Sequence, residues 1–202
     1  MIALFDFDGV IMDTEGNYTR FWSGIGEEIF GDRDFGNRIK GQTLNLIFDK
    51  YFNEDKSVYR DEVQRRLIDF EADMPYEYVP GVQEFLLSLR KEGIKTAIVT
   101  SSNMDKMNCV FRSHPEIRDM VDVILTSEDF TASKPDPDCF LKGMERLGGT
   151  PQDTVVFEDS FNGLAAARAS GAKVIGLATT NPAEAIAPLC DLVIPDFVGF
   201  VL

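Results

Sequence analysis

Residues 5–15 read FDFDGVIMDTE and follow a short apolar run at residues 2–4, IAL. An apolar run that is soon closed by a glycine, here Gly9, predicts a buried parallel strand. Asp6 would then lie where the strand ends, and ligands bind at that edge of open α/β sheets. Asp6 and Asp8 disfavour each other's charged form at this spacing. Either these two acids stand at the end of a strand without a catalytic role, or one is a metal-assisted nucleophile and the other its acid/base partner.

The composition is that of an ordinary globular protein, with 44% hydrophobic and 27% charged residues in a chain of 202. This length is enough to bury a large core in one or two domains. The net charge of −14 argues against nucleic acid or an anionic membrane as a partner, because their phosphates attract positive charge. A small anionic substrate remains compatible, since one metal ion and one lysine can reverse the local field.

The cysteine pattern indicates a reducing environment. Cys109, Cys139 and Cys190 are far apart and odd in number, so neither a zinc spacing nor a disulfide framework is visible. His114 precedes a proline in a polar stretch, which predicts a surface turn and no catalytic role. No signal peptide precedes the first predicted strand, and no apolar run approaches membrane length. We expect a soluble cytoplasmic protein that is a monomer.

Two parts of the chain differ in their hydrophobic pattern. Apolar and aromatic residues recur at helical spacing between residues 16 and 78, whereas short apolar runs alternate with amphipathic segments from Pro80 onward. The second pattern predicts βαβ units in a parallel sheet. The fold class is therefore α/β: a Rossmann-like parallel sheet flanked by helices forms a discontinuous core domain of residues 1–14 and 79–202, and residues 15–78 form an inserted helical cap domain. The predicted strands are residues 2–5, 94–100, 121–125, 154–157, 173–177 and 192–194.

Further polar groups stand at the ends of three of these strands. Thr100 and Ser101 offer hydroxyl and backbone N–H donors that suit a phosphate, although such residues also cap ordinary helices. Lys134 stands in a loop whose prolines restrict the backbone. It is either a cation fixed in position by this loop or an ordinary solvent-exposed lysine. Glu158 and Asp159 are oxygen ligands of the kind that Mg²⁺ accepts. Asp159 or Ser160 could instead cap the next helix, but a cap does not account for both acids.

These groups together pose a problem of charge. Asp6, Asp8, Glu158 and Asp159 would converge with a phosphate dianion, so only a divalent cation and the fixed Lys134 would make the arrangement tolerable. Phosphoryl transfer requires such parts, namely a nucleophile, cations on the phosphate oxygens and a proton donor for the leaving group. The residues therefore indicate Mg²⁺-assisted phosphoryl transfer.

The same residues resemble the haloacid dehalogenase superfamily of phosphotransferases. Its four motifs are matched in order over nearly the whole predicted core, by DFDGV (6–10), TS (100–101), KP (134–135) and EDS (158–160) with Gly163. The helical insert after the first motif resembles the small cap of the superfamily's β-phosphoglucomutase-like members.

This resemblance implies a role for each motif residue. Asp6 would attack phosphorus and form an aspartyl-phosphate, a covalent intermediate. Asp8 would protonate the leaving alcohol and then activate water. Thr100 and the N–H of Ser101 would hold the phosphoryl group. Lys134 would neutralise the negative charge of this group and that of Asp6. An acid at position 8 disfavours dehalogenase and phosphonate hydrolase chemistry. The Mg²⁺ site would consist of Asp6, Asp8 through its backbone carbonyl, Glu158 and Asp159.

The cap bears on the choice between hydrolysis and isomerisation of a phosphosugar. Lys40-Gly41-Gln42-Thr43 resembles the loop that reaches over the sugar in β-phosphoglucomutases. Leu44 replaces the arginine expected next, and Tyr18 falls where a histidine is expected after the Asp13-Thr14 hinge. These losses favour water as the acceptor. The expected function is a Mg²⁺-dependent phosphatase for a small phosphorylated metabolite such as a sugar phosphate. The alternatives are a β-phosphoglucomutase-type mutase and a catalytically silent phosphometabolite-binding module.

Overall fold

A six-stranded parallel sheet forms the centre of the protein, described here by a computed structural model of residues 1–202. The strand order is β3-β2-β1-β4-β5-β6, and every neighbouring pair is parallel. All six predicted strands are present, with bounds that shift by at most two residues. They are β1 (Ile2–Phe5), β2 (Lys95–Val99), β3 (Val123–Leu125), β4 (Thr154–Glu158), β5 (Lys173–Leu177) and β6 (Leu192–Ile194).

Ten α-helices accompany the sheet, and the predicted α/β class is confirmed. None of them is long and apolar enough to cross a membrane. They are α1 (Glu15–Phe30), α2 (Phe35–Arg38), α3 (Leu44–Tyr51), α4 (Arg60–Asp73), α5 (Val82–Lys91), α6 (Met104–Ser113), α7 (Ile117–Met120), α8 (Asp138–Leu147), α9 (Phe161–Ala169) and α10 (Ala183–Ile186). Short 3₁₀ turns occupy Glu54–Tyr59, Pro151–Asp153 and Ala187–Leu189.

Strand β1 is central and is buried on both faces. Ala3 and Phe5 face an apolar layer shared with α5 and α6, whereas Ile2 and Leu4 face a second layer shared with α8 and α9. Phe5 stacks on Phe157 of β4 with ring centroids 4.6 Å apart. Because helices cover both faces, the strand reads as a continuous apolar run instead of an alternating one.

The helices between β1 and α5 enclose an apolar cluster of their own. Its buried members come from α1 to α4 and the connecting turns, and they are Trp22, Ile25, Phe35, Ile39, Ile47, Phe48, Phe52, Val63 and Leu67. Two connecting segments join this insert to the sheet and pair with each other: Asp13 N–H donates to Glu77 at 2.8 Å, and Val79 N–H donates to Ile11 at 3.0 Å. The division into residues 1–14 with 79–202 and residues 15–78 stays a prediction.

Adjacent leucines on α5 test how this helix packs against the sheet. Leu86 is 1% exposed and Leu87 is 49% exposed. Leu86→Ala should lower the free energy of unfolding by about 2–5 kcal/mol, because it removes buried methyl groups and leaves a cavity. Leu87→Ala should change it by less than about 0.5 kcal/mol. Chemical denaturation of the two variants measures the difference, and equal losses would contradict this orientation of α5.

Candidate active site

The carboxyl ends of β1, β2 and β4 bring distant polar groups to one edge of the sheet. Asp6 directly follows β1, and its backbone N–H donates to the Phe157 carbonyl of β4 at 3.0 Å. Thr100 directly follows β2, and Glu158 is the last residue of β4. Parallel strands that share a sheet end at the same edge, so these segments meet although they are far apart in sequence.

Lys134 connects two buried carboxylates at this edge. Its Nζ lies 2.6 Å from Asp6 Oδ1 and 2.7 Å from Glu158 Oε1, and its side chain is 1% exposed. Burial raises the pKa of Asp6 to about 7; Lys134 opposes this rise, while Glu158 and Asp8 add to it. Burial also disfavours the ammonium, but Asp6 and Glu158 hold the pKa of Lys134 above its ordinary value. Lys134 is thus a fixed cation and not a solvated loop lysine.

Both carboxylate oxygens of Glu158 already have partners. Oε1 contacts Lys134, and Oε2 accepts the backbone N–H groups of Asp159 and Ser160 at 2.8 and 2.9 Å. Ser160 is the N-cap of α9, because its hydroxyl accepts the Gly163 N–H at 3.1 Å. A Cβ at Gly163 would lie 1.7 Å from Glu158 Oε1, so only glycine allows this approach. The helix cap is therefore Ser160, which leaves Asp159 free for another role.

Among the three acids at the strand ends, Asp159 is the one whose carboxylate oxygens both lack a hydrogen-bond partner. Both of its oxygens are buried without a hydrogen bond, and the nearby Thr180 hydroxyl is also unpaired. Burial, followed by the charges of Glu158, Glu15 and Asp6, raises the pKa of Asp159 well above its ordinary value. One oxygen each from Asp6, Glu158 and Asp159 lies within 4.8 Å of the others. Since an unpaired buried carboxylate is costly and Mg²⁺ prefers oxygen ligands, these residues fit a divalent cation.

Asp8 contacts three side chains whose part in the site the motifs do not indicate. The Ser102 hydroxyl donates to Oδ2 at 3.0 Å, and the Thr14 hydroxyl donates to Oδ1. Lys106 Nζ lies 2.5 Å from both oxygens. The Lys106 side chain is 4% exposed and that of Asp8 is 16% exposed. The acid/base candidate therefore has a buried lysine of its own, separate from Lys134.

Sequence reasoning missed Lys106, although its position carries a weak signal. Lys106 lies in the first turn of α6, where its backbone N–H donates to the cap residue Asn103 at 3.0 Å. The positive end of the helix dipole disfavours a cation there, so a lysine in that turn suggests a nearby anion. The anion is Asp8, 98 residues away in sequence. Spacing along the chain does not reveal such a pair.

A cavity of about 340 Å³ lies between the sheet edge and the helical insert. Three of the expected residues, Thr100, Lys134 and Glu158, are buried behind its wall. The cavity therefore brings the nucleophile and acid/base candidates together with the cap loop. The expected site residues that line it are Asp6, Asp8, Tyr18, Lys40, Gly41, Gln42, Thr43, Ser101 and Asp159.

The phosphate-binding candidates differ in their contacts. Thr100 is buried, and its hydroxyl accepts the Ser102 backbone N–H at 3.0 Å. Ser101 lines the cavity, and its hydroxyl donates to the Gly41 carbonyl of the cap loop at 3.2 Å. Ser101 therefore presents a polar group to the cavity directly, whereas Thr100 supports the turn behind it.

The cap loop of residues 40–43 has two further hydrogen bonds to the core. The Asn162 side chain donates to the Lys40 carbonyl at 2.8 Å, and the Thr43 and Ser133 hydroxyls are 2.6 Å apart. Thr43 also begins α3 by accepting the Leu46 N–H at 3.3 Å. These contacts hold the loop over the strand ends, where it closes one side of the cavity.

Polar groups from the insert line the cavity opposite the sheet. The Tyr18 hydroxyl donates to Glu71 Oε1 at 2.8 Å, and Lys106 Nζ lies 4.3 Å from the centroid of the Tyr18 ring. Burial, then the charges of Glu71 and Asp8, raises the pKa of Tyr18. Burial, with the charge of Asp8, raises the pKa of Glu15 to about 8, and Glu15 Oε2 is buried without a partner. This wall is rich in oxygen atoms.

Neither the cysteines nor His114 line the cavity. The three cysteines are free. His114 ends α6, with Nε2 2.7 Å from the Tyr76 carbonyl and Nδ1 3.1 Å from Glu116. These contacts give His114 a structural place between α6 and the segment that leads into α5.

Several known proteins resemble this chain in sequence and in fold. A family model described as haloacid dehalogenase-like hydrolase matches residues 3–177. A β-phosphoglucomutase of Bacillus subtilis is 30% identical, and the match covers 89% of this chain and 84% of that protein. A phosphorylated carbohydrates phosphatase of Thermotoga maritima is 29% identical, with 84% and 81% covered. In structure, a family IA, variant 3 hydrolase of Entamoeba histolytica superposes with a TM-score of 0.81 at 24% identity, covering 100% of this chain and 95% of that one.

The family model covers the sheet from its first strand to β5, and the structural likeness extends over the helical insert. The expected resemblance is therefore confirmed. The chain belongs to the haloacid dehalogenase-like hydrolases and, within them, to the β-phosphoglucomutase-like group.

Proposed function

We propose that the protein is a Mg²⁺-dependent phosphatase that hydrolyses a small sugar phosphate through an aspartyl-phosphate on Asp6. The observation that carries this proposal is the setting of Asp6 at the cavity wall. Lys134 contacts one of its oxygens at 2.6 Å, and the unpaired Asp159 carboxylate lies beside it. A nucleophile between a fixed cation and metal ligands is what phosphoryl transfer requires. The mutase and carbohydrate phosphatase relatives support the substrate class.

The first step transfers the phosphoryl group to the protein. An Asp6 carboxylate oxygen forms a bond to phosphorus while the bond from phosphorus to the sugar oxygen breaks. Asp8 donates its proton to that oxygen, so that a neutral alcohol leaves. Lys134 favours the ionised form of Asp6 that attacks, and it offsets the charge that gathers around it. The N–H of Ser101 holds the transferred group, and Thr100 supports this turn from behind the cavity wall.

The second step hydrolyses the aspartyl-phosphate on Asp6. A water molecule attacks the phosphorus of the aspartyl-phosphate, and the Asp8 carboxylate takes a proton from this water. The bond between Asp6 and phosphorus breaks, which releases inorganic phosphate and restores both carboxyl groups to their starting state. Asp8 thus acts first as an acid and then as a base, as the reversed direction of proton transfer demands.

The metal site would consist of Asp6, Asp159 and the backbone carbonyl of Asp8. Glu158 belongs to the same cluster of carboxylates as Asp6 and Asp159. Bound Mg²⁺ would supply positive charge to the phosphate oxygens. Both Glu158 oxygens already contact donors, so Asp159 offers the freer ligand atoms.

The cavity lining favours water over a second phosphate-bearing sugar as the acceptor. Its cationic side chains are Lys40 and Lys106, and Lys106 is paired with Asp8. The remaining wall includes Glu15 and Glu71, whose oxygens suit sugar hydroxyls better than a phosphate. Holding a bisphosphate for reorientation would leave its second phosphate with Lys40 alone. The phosphosugar mutase is the second candidate, because the B. subtilis relative bears that name.

A panel of phosphosugars separates these two functions. We expect release of inorganic phosphate from at least one sugar monophosphate in the presence of Mg²⁺, because water is the proposed acceptor. Coupled assays measure phosphate and glucose 6-phosphate side by side with β-glucose 1-phosphate as substrate. Formation of glucose 6-phosphate with little phosphate released would instead identify the mutase. Failure of every phosphoester to turn over would favour the silent binding module.

Asp6→Asn should reduce turnover by more than roughly 10³-fold, because the amide is a poor nucleophile. Asn is close in size to Asp, so the thermal unfolding midpoint should show that the fold is kept. Asp13→Asn provides a control, since Asp13 is exposed. Undiminished turnover in Asp6→Asn would remove Asp6 from the role of nucleophile.

Removal of divalent cations with EDTA should abolish turnover, and added Mg²⁺ should restore it. Asp159→Asn should raise the Mg²⁺ concentration needed for half-maximal activity by at least about 10-fold, since it removes one charged oxygen ligand. A Mg²⁺ titration of activity in this variant, beside Asp13→Asn, measures the effect. An unchanged titration curve would show that Asp159 does not bind the metal.

A further inference from the structure

A second buried lysine, Lys106, lies beside the acid/base candidate. Its Nζ contacts both Asp8 carboxylate oxygens at 2.5 Å, and its side chain is 4% exposed. The Ser102 hydroxyl donates to the same carboxylate at 3.0 Å. An ammonium carries three donors at one point, so it engages both oxygens together. These contacts restrict rotation of the Asp8 carboxylate about its Cβ–Cγ bond.

Lys106 is itself held between the core and the insert. Its Nζ lies 4.3 Å from the centroid of the Tyr18 ring on α1 and 5.5 Å from that of the Phe7 ring. Tyr18 is in turn bonded to Glu71 of α4 at 2.8 Å. A cation between aromatic faces is stabilised more strongly when it is removed from water. The position of this ammonium therefore depends on two helices of the insert as well as on α6.

We propose that Lys106 is a positioning residue, which directs the Asp8 carboxylate toward the leaving oxygen and ties that direction to the insert through Tyr18. This inference rests on the proposed phosphatase function, in which Asp8 protonates the leaving alcohol. Lys106 exchanges no proton with the substrate and does not hold the transferred phosphoryl group. It differs in this from Lys134, which neutralises the nucleophile and the phosphate.

The choice of leaving group isolates this role. A sugar hydroxyl is a poor leaving group and needs a well-placed acid, whereas p-nitrophenolate leaves without one. The ratio kcat/KM reports only the steps up to phosphorylation of Asp6 and excludes hydrolysis of the aspartyl-phosphate. Comparing kcat/KM for a sugar monophosphate with that for p-nitrophenyl phosphate therefore measures how well Asp8 is aimed.

Lys106→Met keeps the length of the side chain but removes the ammonium. It should lower kcat/KM for the sugar monophosphate roughly 10- to 100-fold more than for p-nitrophenyl phosphate, as misplacement of a catalytic group does. Asp8→Asn should lower kcat/KM for the sugar monophosphate roughly 10²- to 10⁴-fold more than for p-nitrophenyl phosphate. Lys106→Arg should restore part of the loss, and Tyr18→Leu should give a smaller change in the same direction. Lys142 is 41% exposed and provides a control. Lys142→Met should leave unchanged the ratio of kcat/KM for the sugar monophosphate to kcat/KM for p-nitrophenyl phosphate.

Equal losses on both esters in Lys106→Met would overturn the inference, and so would a rise in KM alone, which would place Lys106 on the substrate. If Asp8→Asn leaves the ratio unchanged, the proposed role of Asp8 fails. If Asp8→Asn lowers the ratio and Lys106→Met does not, only this inference fails. Remaining turnover of p-nitrophenyl phosphate, with the unfolding midpoint, shows that Lys106→Met is folded. Should it not fold, Lys106→Arg and Tyr18→Leu provide the same comparison.

Discussion

The contacts of Lys134 with Asp6 and Glu158 are the interaction on which the rest of the site depends. Removing ions from water costs several kcal/mol each unless close partners meet them, as they do here at 2.6 and 2.7 Å. Through these two contacts, Lys134 fixes the ends of β1 and β4 relative to each other. Gly9 completes the arrangement, because its φ of +76° and missing Cβ let the turn after β1 pass beside Asp159.

Charge remains unbalanced even with both buried lysines counted. Lys134 and Lys106 face Asp6, Asp8, Glu158 and Asp159, so two cations meet four acids before a phosphate arrives. The imbalance is greatest at Asp159, whose oxygens have no partner. A site of this kind is unfavourable for an anionic substrate unless a divalent cation joins it, which is the physical reason for expecting Mg²⁺.

The candidate reacting groups and the far wall of the cavity come from different parts of the molecule. The candidate reacting groups stand at the sheet edge, whereas the far wall of the cavity comes from the insert with its own apolar cluster. The two parts meet through the loop of residues 40–43 and through Lys106 with Tyr18. Under the proposed function, changes in the insert would alter which phosphorylated substrate is accepted while the groups at the sheet edge stay the same.

Local sequence by itself determined the six strands, the helical character of residues 16–78 and the polar groups that follow the strands. Each of these is a property of neighbouring residues, either their periodicity or a polar residue after an apolar run. Only the tertiary structure decided the distant partners, which are Lys134 with Asp6 and Glu158, and Lys106 with Asp8. Partners that are 24 to 128 residues apart meet because parallel strands end at one edge, and no local pattern encodes those distances.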